Sequence, residues 1–147
     1  TQPFTVCNEP QLDDFSNAKL AKVCEGTERV YKDIKAMPNL KVTFGTDMFF
    51  LPQEEVAKQI QQMERLLAWF KPVEILRMAT STAGELFALS GEMRNPYPEG
   101  TLGKVSVGGY ADILLVEGNP LEDLGAVTNT GNLKIIMKDG VIYKNTL

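Results

Sequence analysis

The chain has 147 residues, the length of one ordinary domain and enough to bury a core. Hydrophobic residues make up 44% and charged residues 23%, which argues against disorder or fibrous repeats, and no apolar run reaches the roughly 20 residues of a membrane-spanning helix. With 15 basic and 19 acidic residues the net charge is −4, so neither nucleic acid nor a membrane is expected as a partner. Histidine is absent. That removes Ser-His, Cys-His, His-metal and imidazole acid–base chemistry from this chain.

Residues 1–15 carry Pro3, Asn8, Pro10 and the Asp13-Asp14 pair without periodicity and read as an irregular arm. Thr1-Gln2-Pro3-Phe4 has no charged start followed by an apolar stretch, so no signal peptide is expected from it. A helix follows, with Ser16 as its N-cap and Leu20, Val23, Thr27, Val30, Ile34 and Met37 recurring at steps of three and four. Pro38-Asn39 ends it, and Gly26 weakens its middle by about 1 kcal/mol relative to Ala. Lys19, Lys22, Glu25, Glu28, Arg29 and Lys32 alternate in sign, as a solvated face does.

Residues 40–46 (LKVTFGT) are short and rich in strand formers, with Val42 and Phe44 on one face. A second helix starts after Pro52, with Glu54 and Glu55 in its first turn and an apolar stripe of Val56, Ile60, Met63, Leu67 and Phe70. Pro72 breaks it and opens a third helix, whose buried side is Ile75, Met78, Ala79, Thr82, Leu86 and Phe87 and whose C-cap is Gly91. Residues 95–100 (NPYPEG) form a linker. Beyond it, 105–107 and 111–116 read as strands separated by Gly108-Gly109, the second buried on both faces. Residues 133–137 and 141–143 flank Lys138-Asp139-Gly140, a hairpin signal, because Asp-Gly supplies the positive φ angles of a tight turn. Cys7 and Cys24 lack CxxC spacing and read as free thiols in a reducing, cytoplasmic setting.

An ordered set of motifs carries a family resemblance. Gly45-Thr46-Asp47 ends a strand, and Pro72-Val73-Glu74-Ile75-Leu76-Arg77-Met78-Ala79-Thr80-Ser81-Thr82-Ala83-Gly84-Glu85-Leu86 follows as helix. Then come Leu102-Gly103-Lys104-Val105, Gly108-Gly109-Tyr110-Ala111-Asp112-Ile113-Leu114-Leu115-Val116 and the ending Ile135-Ile136-Met137-Lys138-Asp139-Gly140-Val141-Ile142-Tyr143. From about Asp14 onward this resembles the C-terminal part of the amidohydrolase superfamily, in its imidazolonepropionase-like and Xaa-Pro-dipeptidase-like branch.

The resemblance implies an α/β fold. It is the C-terminal fragment of a (β/α)8 metal-dependent hydrolase barrel, with the last barrel strand and helices over residues 1–93 and a small β-sandwich-type unit over 94–147. A whole barrel takes about 250 residues. The resemblance also implies a hydrolase of amide, lactam or dipeptide C–N bonds in its complete form, using zinc or another divalent metal on a small amide or dipeptide-like substrate.

Asp47 matches the aspartate at the end of the last barrel strand, which contacts the metal and takes a proton from the nucleophilic water. Barrel active sites do lie at the C-terminal ends of strands. Phe49 and Phe50 follow directly and are expected to form an apolar wall of the pocket, and residues 4–8 to lie at the same mouth. The family's histidine ligands have no counterpart here. The isolated chain is therefore expected to hold no metal and to be inactive, and to form a homo-oligomer or associate with the missing barrel portion. Two other readings stand beside this one: a non-catalytic α/β binding or self-assembly module, and one half of a split enzyme.

Overall fold

The computed structural model describes residues 13–46 and 56–147. The first element, α1 (Asp14–Lys35), begins three residues earlier than the sequence suggests. Its cap is Asp13 rather than Ser16: the carboxylate accepts the Ser16 backbone N–H at 2.9 Å and the Ser16 hydroxyl at 2.8 Å. Both bonds favour the ionised form and hold the Asp13 carboxyl below its ordinary range. The buried side of α1 is turned slightly from the predicted stripe. Tyr31 is 2% exposed whereas Val30 is 50% exposed, because Tyr31 stacks on Trp69 at 4.4 Å and meets Phe70 edge-on at 5.9 Å.

The second helix forms, but over Ala57–Ala68 it is a 3₁₀ helix. Three residues per turn align i with i+3, so Met63 and Leu66 face the core together and Leu67 swings out to 44% exposure. The predicted Leu67 position in the stripe is thereby corrected to Leu66. The third helix is two: α2 (Pro72–Ala79) and α3 (Ser81–Ala88) meet at Thr80, whose φ of −121° and ψ of −93° interrupt the helical path. Pro72 opens α2 as expected. Glu74 accepts the Lys71 backbone N–H at 2.7 Å and pairs with Lys35 at 2.7 Å, tying the end of α1 to the start of α2. Ile75 and Met78 are buried, while Leu86 and Phe87 of α3 stay exposed. Gly91 takes φ +70°, the left-handed conformation expected after a helix end.

The C-terminal portion carries a three-stranded antiparallel sheet in the order β1 (Ile113–Val116), β2 (Leu133–Lys138), β3 (Val141–Asn145). Lys138 pairs with Val141 across a two-residue turn, with Asp139 at φ 50° and Gly140 at φ 76°, the conformation that Asp-Gly predicts. Residues 105–107 form no strand. Val105 and Val107 point into solvent, and the loop folds on itself through Tyr110 N–H to the Thr101 carbonyl at 3.0 Å. The apolar run of β1 is not buried on both faces either, since Ile113, Leu114 and Leu115 are all exposed. Between β1 and β2 lie a single helical turn, α4 (Gly125–Thr128), and a short 3₁₀ turn (Thr130–Asn132).

One core joins these parts. Tyr31, Met63, Leu66, Phe70, Ile75 and Met78 pack with Leu124, Val127 and Leu133. A second tie is backbone on backbone. A Cβ on Gly84 would meet the Leu102 carbonyl oxygen at 2.3 Å, and one on Gly103 would meet the Thr80 carbonyl oxygen at 2.2 Å. Leu102-Gly103 thus lies directly on the α2–α3 junction, where side chains would not fit.

Two outcomes follow from these packing arrangements. Gly103→Ala, which also forces an alanine to φ +71°, is expected to destabilise the chain by about 1–3 kcal/mol, whereas Gly26→Ala, with open space around it, should gain up to about 1 kcal/mol; urea unfolding of both measures the contrast. The Glu74 carboxyl is held below its ordinary value by the Lys35 hydrogen bond first and the Lys71 backbone bond second. A lowered folded-state pKa contributes stability that is complete above the unfolded value of 4.5 and is lost as pH falls through the folded one. Glu74→Gln should therefore cost about 0.5–1 kcal/mol near neutrality, with the difference from the parent vanishing as acid protonates Glu74; chemical unfolding across that pH range reads it.

Candidate functional site

Residues 40–46 lead to the predicted site. The strand expected over them does not form: no described strand pairs with them, because a ladder needs a neighbour and none of the described residues supplies one. The segment is held instead by separate ties. Val42 and Phe44 pack against the core. The Phe44 N–H donates to the Met78 carbonyl at the end of α2 at 3.1 Å. Lys41 reaches Glu85 of α3 at 2.7 Å, and Glu85 receives Lys104 of the following loop at 3.2 Å. Those two ammonium groups, Lys41 foremost, hold the Glu85 carboxyl below its usual range. At the end of the segment the Thr46 hydroxyl donates to Gln59 Oε1 of the 3₁₀ helix at 3.0 Å.

Asp47, Phe49 and Phe50, the residues singled out from the sequence, lie outside the described residues, as do Cys7 and the arm around it. The positions that bring Thr46, Gln59, Lys41 and Glu85 together had no motif to announce them, because each contact joins residues far apart in sequence. Among the described residues no group of three or more His, Cys, Asp or Glu side chains is placed to hold a metal ion. They do not fit a metal by themselves. Cys24 is disulfide-bonded, which corrects the expectation of free thiols. Spacing along the chain says nothing of distance in space. No described helix is long and apolar enough to cross a membrane.

A cleft of 610 Å³ opens between the α2–α3 junction and the sheet, lined among others by Thr80, Phe87, Tyr97, Leu114, Asp112 and Lys138. Its polar groups are already engaged in the fold. Asp112 accepts the Asp139 backbone N–H at 2.7 Å, the Thr80 hydroxyl donates to the Leu76 carbonyl at 2.7 Å, and Lys138 lies over the Tyr97 ring at 5.8 Å. The cleft holds an aromatic and apolar wall but no convergent set of reactive groups.

Comparison with known proteins supplies the class. The family model described as the amidohydrolase family matches residues 6–143. The chain belongs to the amidohydrolase family. Among solved structures it is similar to an amidohydrolase, at TM-score 0.73 and 26% identity over 97% of this chain and 32% of that one. It is likewise similar to a prolidase complexed with N-methylphosphonate-L-proline, at TM-score 0.70 and 28% identity over 92% of this chain and 30% of that one. A third likeness is to A. niger ochratoxinase, at TM-score 0.71 and 25% identity over 95% of this chain and 29% of that one. The chain thus spans 29–32% of the length of these three solved structures. No curated protein gives a significant match.

Proposed function

We propose that this chain supplies the C-terminal part of a hydrolase of C–N bonds, amide, lactam or dipeptide, and that alone it is inactive. The observation that carries the reading is the amidohydrolase family match over residues 6–143; the likenesses to a prolidase and an ochratoxinase support it more weakly, at 28% and 25% identity. On this reading residues 1–93 belong to the end of a (β/α)8 barrel and 94–147 to the β unit beside it. The substrate is a small amide or dipeptide-like molecule.

Asp47, at the end of the segment of residues 40–46, accepts a proton as the attacking water forms its bond to the substrate carbonyl carbon. Asp47 then passes that proton to the nitrogen as the C–N bond breaks, leaving the carboxylic acid and the amine and returning Asp47 to its ionised form. A positioned carboxylate of this kind contributes about 10²–10⁴-fold in rate. Phe49 and Phe50 form an apolar wall beside it. Zinc or another divalent ion belongs to the complete enzyme. With no histidine in the sequence and no metal cluster among the described residues, its ligands other than Asp47 come from elsewhere. The open apolar surface of β1 and β3 favours association, with a second copy or with the rest of the barrel.

Asp47→Asn in the protein encoded by the complete reading frame should lower kcat/KM on a panel of Xaa-Pro dipeptides and N-acyl amino acids by about 10²–10⁴-fold, and the 147-residue chain should hydrolyse none of them. An unchanged rate in the variant removes Asp47 from the reaction. Light scattering of the isolated chain at micromolar concentration should give more than the monomer mass.

A further inference from the structure

A separate pocket of about 270 Å³ opens where the end of α1, the start of residues 40–46 and α2 meet, and it shares no lining residue with the 610 Å³ cleft. Its floor is apolar. Ile34, Met37, Leu40, Phe70 and Met78 line it, and Met37 and Leu40 leave about half their surface to solvent. Its charged lining is uneven, with Lys35, Lys41 and Arg77 against Glu74. Lys35 donates to both Glu74 oxygens, at 2.8 and 2.7 Å, and lies over the Phe70 ring at 5.1 Å. Lys41 gives one hydrogen bond to Glu85, which also receives Lys104. Among the described residues no carboxylate pairs with the Arg77 guanidinium. A surplus of positive charge thus borders an apolar floor, in a chain whose net charge is −4.

We propose that this pocket binds an organic carboxylate with a compact apolar body, the carboxylate held by Arg77 and Lys41 and the body laid on Ile34, Met37 and Leu40. A guanidinium presents its donors in a fixed fork that matches the two oxygens of a carboxylate. An ammonium has three donors, so Lys41 keeps donors for a ligand while bonded to Glu85. Covering Met37 and Leu40 takes apolar surface out of water, and an apolar floor with a few placed polar groups is the usual form of a small-ligand site. A single negative charge suits the lining best. A phosphate dianion would bring its second charge against Glu74 and leave the floor uncovered, and a neutral ligand would leave Arg77 without a partner. None of these side chains is assigned a role in the reaction proposed above. The pocket lies at residues 40–42, the opposite end of that segment from Thr46.

The methionines provide the readout. Met37 and Met78 line this pocket, Met137 lines the larger cleft, and Met93 is exposed on the surface. In the chain labelled with carbon-13 at its methionine methyl groups, titration with phenylpropionate should shift the Met37 and Met78 resonances with a Kd of about 0.1–1 mM and leave Met93 and Met137 in place. Phenylpropionamide, the neutral analogue, and inorganic phosphate should each bind at least about tenfold more weakly. Arg77→Gln should weaken phenylpropionate binding by about tenfold or more, and Leu40→Gln by about threefold or more. Arg77 and Leu40 are both exposed, and an unmoved resonance of the buried Met63 checks that each variant keeps the fold. Equal binding of the amide, or an Arg77→Gln affinity within about twofold of the parent, removes the charge recognition and overturns the proposal. Phosphate binding as tightly as phenylpropionate makes this a simple anion site and overturns it too. Shifts confined to Met137 would place the ligand in the larger cleft, and no shift at Met37 and Met78 up to about 10 mM, ten times the weakest expected Kd, would leave the pocket without this ligand; either result sinks it.

Discussion

Leu66, Ile75 and Leu124 come from three stretches of the chain and close over one another until almost no solvent reaches them. Burying a side chain of that size is worth about 1.5–3 kcal/mol, against about 0–1 kcal/mol for an exposed ion pair. The chain has many of the second kind, Lys32 with Glu28, Lys41 with Glu85 and Lys134 with Glu117 among them. Position in this molecule is therefore decided by the apolar cluster, and the charges adjust it. Residues 40–46 illustrate the order of importance. Val42 and Phe44 lean on the cluster, which fixes the segment along its length without a β-ladder. The hydrogen bonds at its two ends then fix its direction.

The same cluster explains how a helical layer and a small sheet hold together. Leu133 opens β2 from within the core, and the buried Thr128 hydroxyl donates to Glu64 on the 3₁₀ helix, so the sheet is approached from its connection rather than covered over its face. Its two faces keep exposed side chains, Leu114, Ile142 and Tyr143 among them. Val116 of β1 and Ile136 of β2 also pack against the cluster, and Leu102-Gly103 makes a separate close contact with Thr80 and Gly84. Two glycines are needed there because peptide planes meet directly. The break between α2 and α3 falls at the same place, and the Thr80 hydroxyl satisfies the Leu76 carbonyl that the interrupted helix leaves free.

Features determined by a few neighbouring residues were legible in the sequence. Pro72 opening a helix and Asp139-Gly140 turning a hairpin stand as expected, because each is a local conformational preference; the expected C-cap Gly91 instead takes its left-handed conformation two residues beyond the actual C-cap, Leu89. The errors share a different cause. Residues 105–107 have strand composition but no partner among the described residues, and of the core-like run of β1 only Val116 packs on the core while Ile113, Leu114 and Leu115 stay exposed. The choice between Leu66 and Leu67 rests on whether the turn holds three residues or 3.6, a difference that an apolar pattern of this length does not resolve. Tyr31 was passed over because its stacking partner, Trp69, is 38 positions away (69 − 31). At the site, Asp47 was singled out through family likeness and not through any local spacing, and it lies outside the described residues. Gln59 was invisible, since a glutamine in an amphipathic helix looks like any solvated residue until the fold places it against Thr46.

The absence of histidine takes on its meaning only when set beside the family. Hydrolysis through a positioned water needs groups that bind, orient and accept a proton at one point, and catalytic zinc ordinarily takes three protein ligands with one position open. This chain belongs to a family built for such chemistry and spans 32% of the length of the solved amidohydrolase it is similar to. On the proposed reading its share of the reaction is a single carboxylate, and most of its residues serve to hold that carboxylate still. The described residues are organised accordingly. The carboxylates whose pKa is clearly lowered are Asp13, Glu74, Glu85 and Glu117, and each owes its shift to a helix cap or to a lysine on the surface. Depression of this kind stabilises the charged form and keeps the group from carrying protons near neutrality. Those four are therefore structural anions.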